Sequence, residues 1–91
     1  MKHNEFVNGQ KMVEQKGDQL TYFFKNGKVK ADGISKLGMM EGEWMFYRET
    51  GQLWQVGNFK NGQKHGSWVR YDKTNNVEYE ESFFEGKMVK K

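Results

Sequence analysis

Two groups of residues in this chain have the types that do chemistry. Glu78, Glu80, Glu81 and Glu85 crowd carboxylates into the stretch VEYEESFFEG, and neighbouring carboxylates can divide the roles of acid and base between them. His3 and His65 are the only histidines, and a histidine titrates near neutral pH. Neither group assembles a site. One histidine lies in the amino-terminal tail and the other in a turn, so neither a Ser/His/Asp arrangement nor a metal cluster comes from them. The glutamates interleave with Val77, Tyr79, Phe83 and Phe84, which is how a charged strand edge that resists aggregation reads. The glycines precede no helix and so form no phosphate loop. No catalytic residue, metal site or cofactor is expected, and the chain reads as a non-enzyme.

The elements that carry these residues must be small. At 91 residues the chain is one domain at most, and it buries a smaller share of its surface than a larger domain would. Only 35% of residues are hydrophobic and 30% are charged, yet 15% are aromatic, so most of the large apolar area sits in rings. That aromatic content excludes a disordered chain. Without cysteine there is neither a disulfide nor a thiolate metal site. The opening MKHNEFVNGQKM has no apolar run of the signal-peptide kind, and no stretch approaches the ~20 apolar residues that span a bilayer. The expected location is cytoplasmic. The net charge of +3 is spread rather than concentrated, which argues against nucleic acid as a partner.

Shifting the sequence on itself by 24 residues aligns Gly42 with Gly66, Trp44 with Trp68, Tyr47 with Tyr71, Phe59 with Phe83 and Gly62 with Gly86. The shift back matches Gly51 to Gly27, Gly57 to Gly33 and Gly62 to Gly38, with Leu20 under Trp44. Three units follow, 18–41, 42–65 and 66–89, after an N-terminal segment, 1–17, whose EFVNGQK resembles the unit-closing NFKNGQK. Each unit holds two stretches rich in aromatic and branched residues, separated by KNGK, ETGQ or KTNN. Such turns supply the positive φ of tight hairpins. The fold class is therefore all-β: a single-layer antiparallel meander of stacked hairpins. About six strands are expected, ~25–30 Å across, with room for a helical turn or two only in KMVEQKG (11–17).

Symmetric pairing about each turn sets Trp44 opposite Gly57, Leu20 opposite Gly33 and Tyr47 opposite Trp54, and a ring over a strand glycine covers weakly held backbone. Trp68 opposite Glu81 departs from that rule. One face then carries Leu20, Tyr22, Phe24, Val29, Ala31, Trp44, Phe46, Leu53, Phe59, Trp68, Val77, Tyr79 and Phe83. The other carries Phe23, Met45, Tyr47, Trp54, Val56, Val69 and Tyr71 among charged residues. Neither face is fully polar, so some apolar surface must meet a partner, a second copy or the N-terminal segment.

The pattern G-x-W-x-x-Y-x-x-x-G-x-L followed by G-x-F-x-x-G-x-x-x-G, complete in 42–66, resembles the MORN repeat. The stretches NGKVKADG, TGQLWQVGNFKNGQKHGSW and YDKTNN are similar to the bacterial variant found in YwqK-type antitoxins. That resemblance implies a groove-like sheet used for protein contacts, with lipid binding attached to some eukaryotic relatives, and no catalytic residues. Asp18 and Leu20 depart from the pattern in the first unit, as do Asn75 and Glu81 in the third.

Trp44, Tyr47, Gly57, Trp68 and Tyr71 recur with the repeat and read as structural. Trp54 does not: its equivalents are Lys30 and Glu78, so it is either a contact residue or a cross-strand partner of Tyr47. Arg48 and Arg70 are the only arginines in a lysine-rich chain, and arginine beside aromatics is the usual composition of an interface centre. Tyr22, Phe46, Arg48, Trp54, Arg70 and Tyr79 are thus the candidate protein-binding residues. The expected partner is another protein, a toxin by the resemblance, with a homodimer as a further outcome. The alternative is an adaptor at an anionic membrane or phosphoinositide through Lys60, Lys64, Lys87, Lys90 and Lys91. Single-stranded nucleic acid stacked on the rings lacks a basic groove.

Overall fold

The computed structural model describes Glu5, Phe6 and residues 8–89. His3, Lys90 and Lys91 lie outside the described residues. Among the described residues nine strands follow one another: β1 (Val13–Lys16), β2 (Gln19–Phe23), β3 (Val29–Lys36), β4 (Met39–Tyr47), β5 (Leu53–Lys60), β6 (Gln63–Lys64), β7 (Gly66–Tyr71), β8 (Val77–Phe84) and β9 (Lys87–Val89). They form one antiparallel sheet in chain order, with the short β6 attached to the end of β5. The meander of hairpins predicted from the repeat is the fold, and three more strands than expected extend it. KMVEQKG holds no helical turn. Val13–Lys16 pairs with Gln19–Tyr22 through a tight turn at Gly17, because the backbone of β2 has an outer edge to satisfy.

Two turn types alternate. The unit-closing turns place two residues at positive φ: Leu37 and Gly38, Asn61 and Gly62, Glu85 and Gly86. That is the twist-matched hairpin connection. The hairpin turns place only one there, at Gly27, Gly51 or Asn75. The second pattern recurs around Gly9, with positive φ there and bonds from Phe6 N–H to the Gln10 carbonyl and from Gly9 N–H to the Phe6 carbonyl. These two bonds match those of the hairpin turn FKNGK, where the Phe24 N–H meets the Lys28 carbonyl and the Gly27 N–H the Phe24 carbonyl, rather than the closing turn that EFVNGQK resembles in sequence. Side chains then lace each hairpin turn to the next: Asn8 donates to the Lys25 carbonyl, Asn26 to that of Glu49 and Gln52 to that of Lys73.

The core is narrow. Ala31, Trp44 and Trp68 are the buried hydrophobic residues among those described. Both indoles sit over glycines, although not over the ones that sequence symmetry suggests. Trp44 is paired in register with Gly57 and Leu20 with Gly33, as expected. The ring of Trp44, however, lies against Gly33 and that of Trp68 against Gly57; a Cβ on either glycine would come within 2.4 Å of the indole. Each ring reaches back over the preceding hairpin and donates its Nε1–H at 2.9 Å to a repeat-equivalent carbonyl, Ile34 for Trp44 and Asn58 for Trp68. Glu81 opposite Trp68 then needs no special explanation, because among the described residues no later tryptophan lies over it.

Candidate binding face

A bulge recurs in each hairpin one residue after the turn-proximal pair. Phe23 pairs with Val29 but Tyr22 with Ala31; Tyr47 pairs with Leu53 but Phe46 with Gln55; Tyr71 pairs with Val77 but Arg70 with Tyr79. The extra residues are Lys30, Trp54 and Glu78. An inserted residue shifts strand alternation by one, so Val29, Leu53 and Val77 share the face of Phe23, Tyr47 and Tyr71. This corrects the face assigned from simple alternation to those three and to Trp54, whose ring packs on the Arg70 guanidinium beside Tyr79. It also removes the Tyr47–Trp54 pair: Tyr47 faces Leu53, and Trp54 is free of the ladder.

Cross-strand pairing builds one row from the binding candidates, running Tyr22, Ala31, Phe46, Gln55, Arg70, Tyr79. Beside it the rings form a continuous path. Tyr22 and Phe46 flank Trp44 at 6.4 and 6.3 Å, and Phe46 stacks on Trp68 at 6.0 Å. Phe59 meets both indoles edge-on, Phe83 extends the path from Trp68, and such tilted and edge contacts suit the ring quadrupole.

At one end of the row Arg70 is held on three sides. Its guanidinium lies 4.9 Å from the Trp54 ring and 5.0 Å from that of Tyr79, and its Nε and Nη2 both donate to Gln55 Oε1, at 3.2 and 3.1 Å. The bulge is what aims Trp54 at this cation. Arg48 approaches from the neighbouring turn, donating through Nη2 to the Tyr71 carbonyl at 2.9 Å, while its buried Nε has no partner. Arg48, Trp54 and Arg70, together with Asp72, Lys73, Thr74 and Glu78, line an open groove of about 490 Å³. Asp72 is committed to its own turn, accepting from the N–H groups of Thr74 and Asn76 and from the Thr74 hydroxyl. These bonds, the Asn76 N–H foremost, hold its carboxyl below the ordinary range. Hydrogen bonding to Glu81 raises the Tyr79 phenol.

Tyr22, Phe46, Arg70 and Tyr79 thus share one row and Trp54 packs at its end, while of the six candidates Arg48, Trp54 and Arg70 line the groove. Of the structural candidates, Trp44, Gly57 and Trp68 form the two inter-hairpin junctions. Tyr47 and Tyr71 lie on the opposite face, where burial, followed by the charge of Asp32, raises the Tyr47 phenol. Sequence reading missed Gln55, which orients Arg70; the signal available was its cross-strand position between Phe46 and Arg70. The lysines assigned to a membrane do not form a free set. Lys64 caps the rings of Trp68 and Phe83 at 4.6 and 4.8 Å. His65 is engaged as well, accepting from the Glu85 N–H through Nδ1 and packing against Phe84.

An open, single-layer antiparallel sheet of stacked hairpins with aromatic rings along one face defines a class of β-hairpin repeat proteins. The chain belongs to the MORN repeat variant family: residues 40–61 and 64–89, just over half of the chain, match it. Repeats of this kind generally bind proteins or membranes and are generally non-enzymatic. Neither a curated protein nor a solved structure matches the chain.

Proposed function

We propose that this chain is a cytoplasmic, non-enzymatic protein-binding module that acts as an antitoxin or immunity protein, neutralising a partner toxin by occupying its surface. The observation that supports this reading most is Arg70 clamped between Trp54 and Tyr79 beside a groove that nothing in the described chain fills. A cation over an aromatic ring is worth ~0.5–1 kcal/mol in water and ~2 kcal/mol or more once desolvated. A partner that covers the stack therefore strengthens a contact already in place. The side chains are also held before binding, which lowers the ordering cost. The anionic-membrane alternative has less to draw on, since Lys64 is folded over rings.

The test is a capture experiment with three tagged chains: wild type, Arg70→Ala and Thr21→Ala, the last on the opposite face. Wild type and Thr21→Ala should retain the same protein in one-to-one ratio from source-cell extract. Arg70→Ala should weaken the contact by ~2 kcal/mol, about 30-fold in Kd. The antitoxin role then requires that the captured protein arrest growth when expressed alone and not when co-expressed with this chain. Retention by all three chains alike, or a partner without toxicity, would refute the corresponding part of the reading.

A further inference from the structure

The groove beside Arg70 carries a charge pattern that the repeat does not account for. Three of its side chains stand where the other units have different types: Arg48 where they have Phe24 and Asp72, Trp54 where they have Lys30 and Glu78, and Arg70 where they have Tyr22 and Phe46. In the first unit the ring belongs to residue 24 and the cation to residue 30, with Lys30 Nζ 5.9 Å from the Phe24 ring. In the second unit the two types have changed places, and both arginines of the chain line one groove. The sheet needs neither arginine, since the equivalent turn and row positions are built without them.

Their charge is not paired within the described chain. The salt bridges among the described residues join Lys11 and Lys16 to Glu14, and none reaches Arg48, Arg70, Lys73 or Glu78. Asp72, the other carboxylate of the groove, already accepts three hydrogen bonds within its turn, and the charge of Arg48 is the smallest of the causes that lower it. Arg48 itself is anchored by the bond from Nη2 to the Tyr71 carbonyl, while its Nε, shut from solvent, has no acceptor. Leaving a buried donor unsatisfied is unfavourable. A small turn of the guanidinium toward an acceptor in the groove therefore makes a bond that the free chain lacks. The fork of an arginine meets a carboxylate with two parallel bonds.

We propose that the groove seats an aspartate or glutamate side chain of the partner protein, with Arg48 as the fork that meets the carboxylate and Arg70 and Lys73 adding attraction. The inference rests on the reading of the ring face as a protein-binding surface and names what that surface selects. Trp54, held 4.9 Å from the Arg70 guanidinium, offers an apolar wall to the residue beside that carboxylate. Glu78, exposed at its bulge, opposes the same ligand by like charge. A layer of lipid phosphates is a poorer occupant, because Asp72 and Glu78 would face many anions at once rather than a single carboxylate.

The experiment follows the side-chain N–H resonances of Trp54 and Arg48 by NMR at low salt while a capped leucyl-glutamate dipeptide, or its leucyl-glutamine isostere, is added. The indole N–H groups of Trp44 and Trp68, bonded within the sheet, are the unmoved reference. The glutamate peptide should shift the groove resonances and bind ~10-fold more tightly than the glutamine peptide, and added salt should erase the difference. Arg48→Gln should bring the two peptides to equal affinity, and Glu78→Gln should tighten the glutamate peptide by about 2-fold to 5-fold. Should Arg48→Gln fail to fold, seen as loss of the two reference signals, Glu78→Gln still carries the test. Equal affinity for both peptides in wild type, no shift at Trp54, or an unchanged affinity in Glu78→Gln overturns the proposal. Shifts from phosphatidylglycerol vesicles and not from the peptide assign the groove to a lipid surface and overturn it too. Capture from source-cell extract separates this inference from the reading beneath it. If Arg70→Ala loses the partner while Arg48→Gln retains it as wild type does, the binding face stands and the carboxylate site falls. Discrimination between the peptides with no partner captured supports the carboxylate site and removes the ring-face reading.

Discussion

Trp44 over Gly33 and Trp68 over Gly57 are two copies of one junction, down to the 2.9 Å bond from each indole to a carbonyl of the preceding hairpin. One unit further on, Glu81 occupies the glycine position and no indole covers it among the described residues. The contrast shows that the glycine and the ring requiring it belong to different hairpins. Glycine weakens a strand by itself, and here the weakness is offset only when the following hairpin closes over it. Neighbouring hairpins are thereby coupled, as in repeat proteins whose stability is a sum of unit and interface contributions.

The largest effect should come from removing a ring. Trp44 is fully buried, so Trp44→Ala should cost ~3–5 kcal/mol, a large part of the ~5–14 kcal/mol expected for a chain of this length. Urea unfolding followed by far-UV circular dichroism measures it, and a loss below ~1 kcal/mol would mean that the sheet does not depend on its junctions. Next comes the glycine contrast. Gly57→Ala drives a methyl group into Trp68 and should cost ~1–3 kcal/mol, whereas Glu81→Ala should change stability by under ~1 kcal/mol. Equal losses at both positions would undo the distinction. A double-mutant cycle then asks which ring serves Gly57. Coupling of Gly57→Ala with Trp68→Ala should reach ~0.5–3 kcal/mol, and coupling with Trp44→Ala should be smaller, although Trp44 is the register partner. The reverse order would restore the within-hairpin arrangement.

That distinction marks where the sequence stops being legible. The period of 24 and the turn chemistry are local properties, so the hairpins, their order and the pairings Trp44 with Gly57 and Leu20 with Gly33 could all be read before any coordinates. Each strand of an open sheet nevertheless has two neighbours, and periodicity states only which backbone lies opposite. The tilt of an indole across the sheet decides which glycine it covers. The bulges at Lys30, Trp54 and Glu78 were hidden for another reason: counting outward from a turn assumes one residue for one, and the departure follows from turn geometry that composition does not record. Trp54 stood out as foreign to the repeat, yet its contact with Arg70 depends on that departure. β1 escaped notice because VEQK lacks the aromatic and branched alternation of the other strands, and it pairs because β2 offers it an edge.

The smallest effects extend the comparison to two aspartates on opposite sides of the repeat pattern. Asp72, in the hairpin turn of the last unit, is held below the ordinary carboxylate range by the Asn76 N–H and by Thr74. Its folded pKa lies below its unfolded one, so its stabilisation is complete above about pH 3.9 and is lost as pH falls through the folded value. Asp32, paired between Thr21 and Met45 on the face away from the rings, is raised by burial. The sign is reversed there: its contribution is present below about pH 3.9 and is lost as pH rises through the folded value. Asp72→Ala should therefore lower the urea midpoint at about pH 7, and Asp32→Asn should raise it. Both differences should shrink as pH falls below about 3.9, where the Asp32 carboxyl takes up its proton and that of Asp72 follows as pH falls through its lower folded value. Shifts of the same sign at neutral pH would mean that Asp32 has a donor partner in solution, and that the face opposite the rings is less dry than its packing implies.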